Sequence, residues 1–129
     1  MRGMRIAAVA LVLALAACTT FGIEIYNVDK PVPAAVQAAG AYQVEAYINQ
    51  ALTIKGWKTD KMRPGELRAT QEWDNKVAVV TILFSPQRYS IRYHSSLNLD
   101  ERNGTIDNQY NVRVRALEAE IDRRMKSTG

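Results

Sequence analysis

Residues 67–93 read LRATQEWDNKVAVVTILFSPQRYSIRY, and this stretch decides the fold. Asp74-Asn75 suits a two-residue hairpin loop, and Pro86-Gln87 places a proline at the corner of a second turn. Upstream, Pro64-Gly65 marks a third turn. Strands joined by loops this short pair as antiparallel neighbours, so the segment predicts a four-stranded meander. The four predicted strands span residues 57–62, 67–73, 76–84 and 88–94.

The two later turns also fix the register of the strands, which assigns each side chain to a face of the sheet. A loop at Asp74-Asn75 pairs Leu67 with Ile82. A loop at Pro86-Gln87 pairs Ile82 with Ile91. The two turns are placed independently and yet collect one apolar set on one face, which we therefore predict to be the core face. That set is Leu67, Ala69, Ala78, Val80, Ile82, Phe84, Tyr89, Ile91 and Tyr93.

An amphipathic helix precedes the strands. Apolar or small residues recur every four positions from Val36 to Leu52, which predicts one helix from about residue 34 to Gly56. Gly40 lies inside this pattern. Because glycine costs a helix about 1 kcal/mol relative to alanine, we expect Gly40 to mark a close packing contact.

A second amphipathic helix follows the strands, and Thr105 or Asp107 is suited to cap it. Asn108 and Asn111 lie in its first turns, where we expect their side chains to satisfy free backbone N–H groups. Its apolar stripe is Tyr110, Val114, Leu117, Ile121 and Met125. Both helices need an apolar surface and one sheet face offers it, so the sequence predicts an α+β fold, a two-layer sandwich.

The chain begins with the pattern of a secretory signal. Arg2 and Arg5 precede twelve uncharged residues, 6–17, which end in small side chains. Twelve residues of helix rise about 18 Å, well short of the ~30 Å hydrocarbon core, so a permanent span is not expected. Cys18, the only cysteine in the chain, follows directly.

Leu15-Ala16-Ala17-Cys18 closely resembles the lipobox of bacterial lipoproteins. The resemblance implies that signal peptidase recognises Leu15, Ala16 and Ala17 and cleaves before Cys18. It also implies diacylglycerol on the Cys18 sulfur and an acyl chain such as palmitate on the new amine. Two or three acyl chains make membrane attachment lasting. The alternative is an ordinary signal followed by a free thiol.

The residue after Cys18 bears on the membrane that would hold the protein. In lipoproteins of this kind an aspartate there indicates retention in the inner membrane, and this chain has Thr19. The resemblance therefore implies the outer membrane, with the domain in the periplasm, and the inner membrane is the alternative. We divide the chain into a lipoprotein signal peptide (1–17), a lipidated cysteine and tether (18–33) that can add an N-terminal edge strand, and a single α+β domain (34–126).

A second resemblance covers most of residues 34–122. Tyr89-Ser90-Ile91-Arg92-Tyr93, a loop ending in Gly104, and Asn108-Gln109-Tyr110-Asn111 resemble a group of small proteobacterial outer-membrane lipoproteins of unassigned function. In that group a YSIRY-like strand precedes a helix that carries an NYN-like turn, and here Gln109 replaces the first asparagine. The resemblance implies the fold and the envelope location, and no activity.

Charge and composition argue against several classes of function. Of 17 basic residues two lie in the predicted signal, which leaves 15 against 13 acidic ones, a net charge of +2. The sequence contains no run of five or six like charges, so a nucleic-acid-binding arm is not indicated. No Cys/His cluster or Gly-rich phosphate loop is present, so we predict no metal and no cofactor beyond the covalent lipid on Cys18.

The single histidine does not indicate an enzyme. His94 precedes Ser95 and Ser96, but neighbours in a strand point to opposite faces, and no carboxylate is placed to orient the imidazole. We therefore predict that the protein is not an enzyme.

The sheet face opposite the core carries the candidate site. On the same registers an apolar row on the third strand lies between polar neighbours, as interaction surfaces often do. The alternative is a central strand whose β-branched residues satisfy local propensity alone. The predicted contact face is Arg68, Val77, Val79, Leu83, Arg92 and His94.

This face predicts a non-catalytic binding or scaffolding module with an envelope protein as partner. The alternative is a binder of a small envelope ligand, held in a pocket between the helices and the sheet. The aromatic residues expected to line that pocket are Tyr42, Tyr47, Trp57, Tyr89 and Tyr93.

Overall fold

A computed structural model describes residues 22–126 of the chain. The predicted signal peptide (1–17), its lipobox and the lipid on Cys18 lie outside the described residues. The elements in chain order are β1 (Ile23–Glu24), β2 (Val28–Pro31), α1 (Ala34–Ala39), α2 (Ala41–Ile54), β3 (Lys58–Arg63), β4 (Glu66–Trp73), β5 (Lys76–Phe84), β6 (Arg88–Leu97), β7 (Thr105–Ile106) and α3 (Asn108–Lys126).

Five strands form one antiparallel sheet in the order β2-β6-β5-β4-β3, with the helices on one face, which confirms the α+β sandwich. The predicted registers are also confirmed, since Ile82 lies opposite Leu67 on β4 and opposite Ile91 on β6. Asp74 and Asn75 both have positive φ angles, of 45° and 66°, as a two-residue hairpin loop requires. The N-terminal segment supplies the fifth strand, β2, at the edge beside β6.

The core lies between the sheet and the two long helices. The predicted core face of the sheet is buried, and Tyr93, its one half-buried member, packs against the core. The helices meet it with Val44, Ile48, Leu52, Tyr110, Val114, Leu117, Ile121 and Met125.

The predicted first helix is two helices, and the expectation for Gly40 is wrong. Gly40 has φ 94° and ψ 174°, a conformation that L-residues rarely adopt, and it separates α1 from α2. A Cβ built on Gly40 meets no atom within 4 Å, so no close contact requires the glycine. Apolar residues still recur every four positions across the break, because Val36 on α1 and Val44 on α2 are both buried in the core.

Strand β6 contains a bulge that the sequence did not indicate. Val80 lies opposite Tyr93 but Val79 lies opposite Ser95, so His94 is the extra residue. Beyond the bulge, the side chains of β6 again alternate between the two faces, but one position out of step with the predicted pattern. Ser95 and Leu97 therefore lie on the face opposite the core. The strand also continues to Leu97, three residues beyond its predicted end, and Leu97 lies opposite Val77.

Residues 22–33, within the stretch predicted as a tether, pack onto the sheet and onto α3. The amide of Ile25 donates to the Gly104 carbonyl at 2.9 Å. Val28 and Val32 are both buried in the core. The chain is therefore attached to the domain from its first described residue onward.

Asn111 holds this segment directly, which corrects its predicted role as a partner for helix N–H groups. Its side chain is buried, and its Oδ1 accepts from the amide of Tyr26 at 3.0 Å. Its Nδ2 donates to the Glu24 carbonyl at 2.8 Å. The start of α3 is capped by Asp107, whose Oδ1 accepts from the Gln109 amide at 2.8 Å, as one of the two predicted caps.

A polar cluster continues the attachment along α3. The Lys30 ammonium lies 2.6 Å from Glu118 and 2.7 Å from Asp122, and the Tyr26 hydroxyl donates to Glu118 at 2.5 Å. The Tyr89 hydroxyl donates to Asp122 at 2.8 Å. We call these contacts, together with those of Asn111 to residues 24 and 26, the N-terminal clamp.

The pKa shifts in the N-terminal clamp favour the protonated tyrosines and the charged lysine, which are the forms that donate these hydrogen bonds. Burial and the hydrogen bond to Asp122 raise the pKa of Tyr89 far above its usual value. The hydrogen bond to Glu118 and burial raise the pKa of Tyr26. Partial burial lowers the pKa of Lys30, but the hydrogen bonds to the two carboxylates outweigh it and leave the pKa raised.

Candidate functional site

The face of the sheet opposite the helices is open among the described residues. Its centre is β5, where Val77 and Val79 are half-buried and Leu83 is 42% exposed. Leu97 joins them at 58% exposure, because the bulge in β6 turns it to this face opposite Val77. We define the contact face as Arg68, Val77, Val79, Thr81, Leu83, Arg92 and Leu97.

Two arginines flank this apolar row at the same level of the sheet. Thr81 lies opposite Arg68 on β4 and opposite Arg92 on β6. Neighbouring strands are about 4.8 Å apart, which separates the Cα atoms of the two arginines by about 10 Å. Val79 and Leu83 lie on either side of Thr81 along β5, so the arginines border an apolar strip.

The two guanidinium groups have few partners within residues 22–126. Arg68 Nε is buried and has no hydrogen-bond partner, and Arg68 Nη2 lies 3.7 Å from Glu66 Oε2, beyond hydrogen-bond distance. Arg92 is exposed and forms no ion pair with a described residue. The exposed Arg92 guanidinium therefore has donors available for carboxylate or carbonyl oxygens, whereas Arg68 Nε is enclosed and reaches such an acceptor only if its side chain moves.

Some of the other charges on this face are paired, whereas Asp60, opposite Arg68, and Glu72, opposite Val77, form no ion pair within residues 22–126. Arg63 lies 3.4 Å from Glu66, and Arg88 lies 3.1 Å from Asp29 on the edge strand. Both pairs lie at the end of the sheet away from Leu97. The face is therefore of mixed charge, with the two arginines beside Thr81 at its centre and carboxylates on its β3–β4 side.

His94 lies at the margin of this face because of the bulge. Its Nδ1 lies 3.2 Å from the Ser95 hydroxyl oxygen, so the expectation that neighbouring side chains point apart does not hold here. The imidazole is exposed, and no carboxylate among the described residues forms an ion pair with it. The histidine and serine lack the third group that orients a catalytic base.

The structure does not gather the five aromatic residues predicted to line a ligand pocket. Tyr42 is 85% exposed on α2, whereas Tyr89 and Trp57 are buried in the core. Tyr93 packs edge-to-face on Tyr110, with ring centroids 5.6 Å apart.

A groove of about 460 Å³ nevertheless lies between the end of α2, β4 and the start of α3. Trp57 and Val112 give it an apolar wall. Its polar groups bind one another, since Arg113 donates to Gln71 Oε1 at 3.0 Å and Gln71 Nε2 donates to the Lys55 carbonyl at 2.6 Å. Of the five predicted aromatic residues, Trp57 lines this groove. The rest of its lining was not predicted, because its walls come from three segments of the chain far apart in sequence.

No group of three or more His, Cys, Asp or Glu side chains within residues 22–126 is placed to hold a metal ion. No helix in the same range is both long and apolar enough to cross a membrane.

Comparisons with protein-family models, with curated proteins and with solved structures each gave no match to this chain. The two resemblances drawn from the sequence therefore stay predictions. The contact face and the groove are the two candidate sites within residues 22–126.

Proposed function

We propose that this protein is a lipid-anchored, non-catalytic binding module of the bacterial envelope that engages a protein partner through its contact face. The observation that supports this most strongly is the row Arg68–Thr81–Arg92, which borders an apolar strip. Arg68 is paired only loosely, with Glu66 at 3.7 Å, and Arg92 forms no ion pair within residues 22–126. Arginine is, with tryptophan and tyrosine, among the residues that most often dominate binding energy at interfaces, and apolar area is concentrated at the buried centre of an interface.

The geometry of the row specifies the chemistry of the partner. A matching surface presents an apolar ridge to Val79 and Leu83 and carboxylates about 10 Å apart, which is twice the spacing of neighbouring strands. Each carboxylate gains a charge-assisted hydrogen bond, which contributes more than a neutral one when the interface excludes water. An acidic, partly apolar protein surface therefore fits this face better than a nucleic acid or a metal does.

The proposed location is the periplasmic side of the outer membrane, with acyl chains on Cys18. The mass of protein extracted from membranes tests this part directly. We expect residues 18–129 plus two or three acyl chains. A mass without acyl chains, or one that retains residues 1–17, contradicts the lipid anchor.

Site-specific photo-crosslinking in intact cells tests the contact face. Probes replace Val79 and Thr81 on the face, and matched probes replace Tyr42 and Ala119, which are exposed on the helical layer. We expect discrete adducts from the sheet positions only. Equal adducts, or none, at the two sets of positions contradict binding through this face.

A charge reversal then tests the role of the arginines. Arg92→Glu should abolish the adduct formed at Val79, because it sets a carboxylate against the carboxylates of the partner. The matched control is Arg123→Glu on the exposed side of α3, which should leave the adduct unchanged. An adduct that survives Arg92→Glu contradicts the proposed partner chemistry.

The groove beside Trp57 supports a second candidate, the binding of a small envelope ligand. Its volume of about 460 Å³ is in the range of small-molecule sites, and its wall is partly apolar. Trp57 and Trp73 lie in or beside it, so their fluorescence reports occupancy. A ligand that changes this fluorescence in the wild type but not in Val112→Arg would support the second candidate.

A further inference from the structure

Several elements of the sandwich meet at one end of the molecule. The Asn98 side chain donates to the Asn75 carbonyl at 2.6 Å, which joins the end of β6 to the turn between β4 and β5. The Trp73 indole N–H donates to Gln109 Oε1 at 2.9 Å, which joins the end of β4 to the start of α3. We call this the anchor end, and it comprises β1, β7, the Asp74–Asn75 turn, residues 97–104 and the start of α3.

The chain enters the described structure at this end and is fixed there. Ile23 and Glu24 pair with Ile106 and Thr105 of β7. Gly22 lies so close to this strand that a Cβ on it would be 2.6 Å from the Ile106 carbonyl oxygen. The position of Gly22 is therefore set by backbone packing.

Few residues separate Gly22 from the cysteine that we propose to be lipidated. Four residue steps lead from Cys18 to Gly22, and an extended chain spans at most about 3.6 Å per residue, or about 14 Å in all. The helix α3 alone has 19 residues and is about 28 Å long. The lipid thus holds the anchor end within a distance shorter than the domain itself.

The anchor end also exposes apolar side chains. Ile23 is 45% exposed, Leu97 58% and Val112 56%. The charged residues of the anchor end are mostly acidic, since Glu24, Asp74, Asp100 and Glu101 outnumber Arg102. Anionic headgroups would repel this end, whereas zwitterionic ones would not. A surface of this kind suits the interfacial region of a bilayer with little net charge.

We propose that the anchor end rests on the lipid bilayer, held there by the short connection to Cys18. The inference rests on the proposed lipidation of that residue. It adds an orientation, since the strands then run roughly along the membrane normal. The contact face stands upright, with Leu97 at its membrane end against the bilayer and with Arg68, Leu83 and Arg92 open to partners in the periplasm.

Fluorescence quenching in vesicles tests this orientation. The lipidated full chain is labelled with bimane at Leu97→Cys, or at Gln87→Cys in the exposed turn at the opposite end of the sheet. The vesicles contain phosphatidylethanolamine and phosphatidylcholine, and some headgroups carry a nitroxide. We expect quenching at position 97 to exceed that at position 87 several-fold, and equal quenching overturns the proposal.

A longer connection isolates the effect of chain length. A Gly/Ser insertion of about 20 residues after Thr20 adds a root-mean-square reach of about 25 Å. Quenching at position 97 should then fall towards the value at position 87, and full retention contradicts control by the connection. The mass of each preparation separates the two proposals: failed quenching with acylated Cys18 overturns the orientation alone, whereas protein without acyl chains overturns the lipid anchor and the orientation together.

Discussion

The N-terminal clamp gives the sharpest test of how this fold is held together, and Asn111 is its most informative residue. Asn111→Ala removes the hydrogen bonds from the Tyr26 amide and to the Glu24 carbonyl. Tyr26 is half-buried and its amide loses its acceptor, whereas Glu24 is exposed and its carbonyl regains water. The substitution therefore removes two bonds but leaves one poorly hydrated donor.

The expected loss follows from these contacts. Each hydrogen bond contributes about 1 kcal/mol net, and an unsatisfied half-buried donor costs roughly 1 kcal/mol more. Alanine returns about 0.6 kcal/mol through its higher helix propensity than asparagine. We therefore expect the free energy of unfolding to fall by about 2 kcal/mol, which lowers a urea midpoint by about 1 M for a small domain.

The assay is urea unfolding of the chain from Thr19 onward, combined with amide hydrogen exchange. The matched control is Asn108→Ala, one helical turn earlier in α3. The Asn108 side chain is exposed and forms no hydrogen bond within residues 22–126. The control should change stability by less than about 0.5 kcal/mol. Exchange of the Tyr26 amide should accelerate in Asn111→Ala only.

Equal midpoints for the two variants, with the Tyr26 amide still protected, would refute the reasoning. That result would mean that the neighbouring strand pairs hold residues 22–33 without the side chain of Asn111. A lowered midpoint with unchanged exchange at Tyr26 would instead assign the loss to packing within α3.

Three further predictions follow from burial and backbone geometry. Ile82→Ala, in the core, should lower the free energy of unfolding by about 2–5 kcal/mol, whereas Leu83→Ala on the contact face should lower it by less than about 1 kcal/mol. Chemical denaturation measures both losses, and similar losses would mean that the contact face is covered. Gly40→Ala should destabilise by about 1–3 kcal/mol because φ there is 94°, and thermal unfolding that shows no loss would mean that α1 and α2 can join. The contribution of Tyr89 to stability should be constant below the ordinary tyrosine pKa of 10.0 and fall above it, because its raised pKa keeps the proton in the folded state while the unfolded state releases it. The slope is at most about 1.4 kcal/mol per pH unit for this group, and unfolding titrations of Tyr89→Phe should show a shallower fall than the wild type.

The sheet was predictable because its turns are short. A two-residue loop at Asp74-Asn75 permits one register, and the alternation of β5 then assigns Val79 and Leu83 to one face and Val80 and Ile82 to the other. The edge strand β2 was foreseen only as an option, since its position depends on contacts with β6 that lie about 60 residues away.

Three structural features could not be predicted from the sequence, each for a physical reason. The helix break at Gly40 preserves the apolar period, so the pattern alone reads as one helix. The bulge at His94 has no marker, because any residue type tolerates the extra position. The role of Asn111 depends on backbone atoms 85 and 87 residues away, which no local pattern encodes.

The edge position of β2 has a mechanical consequence for an anchored protein. Under the proposed lipidation of Cys18, a force on the lipid reaches the domain through Gly22, loads the β1–β7 pair first and then pulls β2 along its own axis. Because β2 lies antiparallel to β6 over Val28–Pro31, such a pull loads the hydrogen bonds between the two strands in shear and all at once. A pull perpendicular to the strands would load these hydrogen bonds one at a time. The attachment is thus oriented to bear tension from the membrane without peeling away from the sheet.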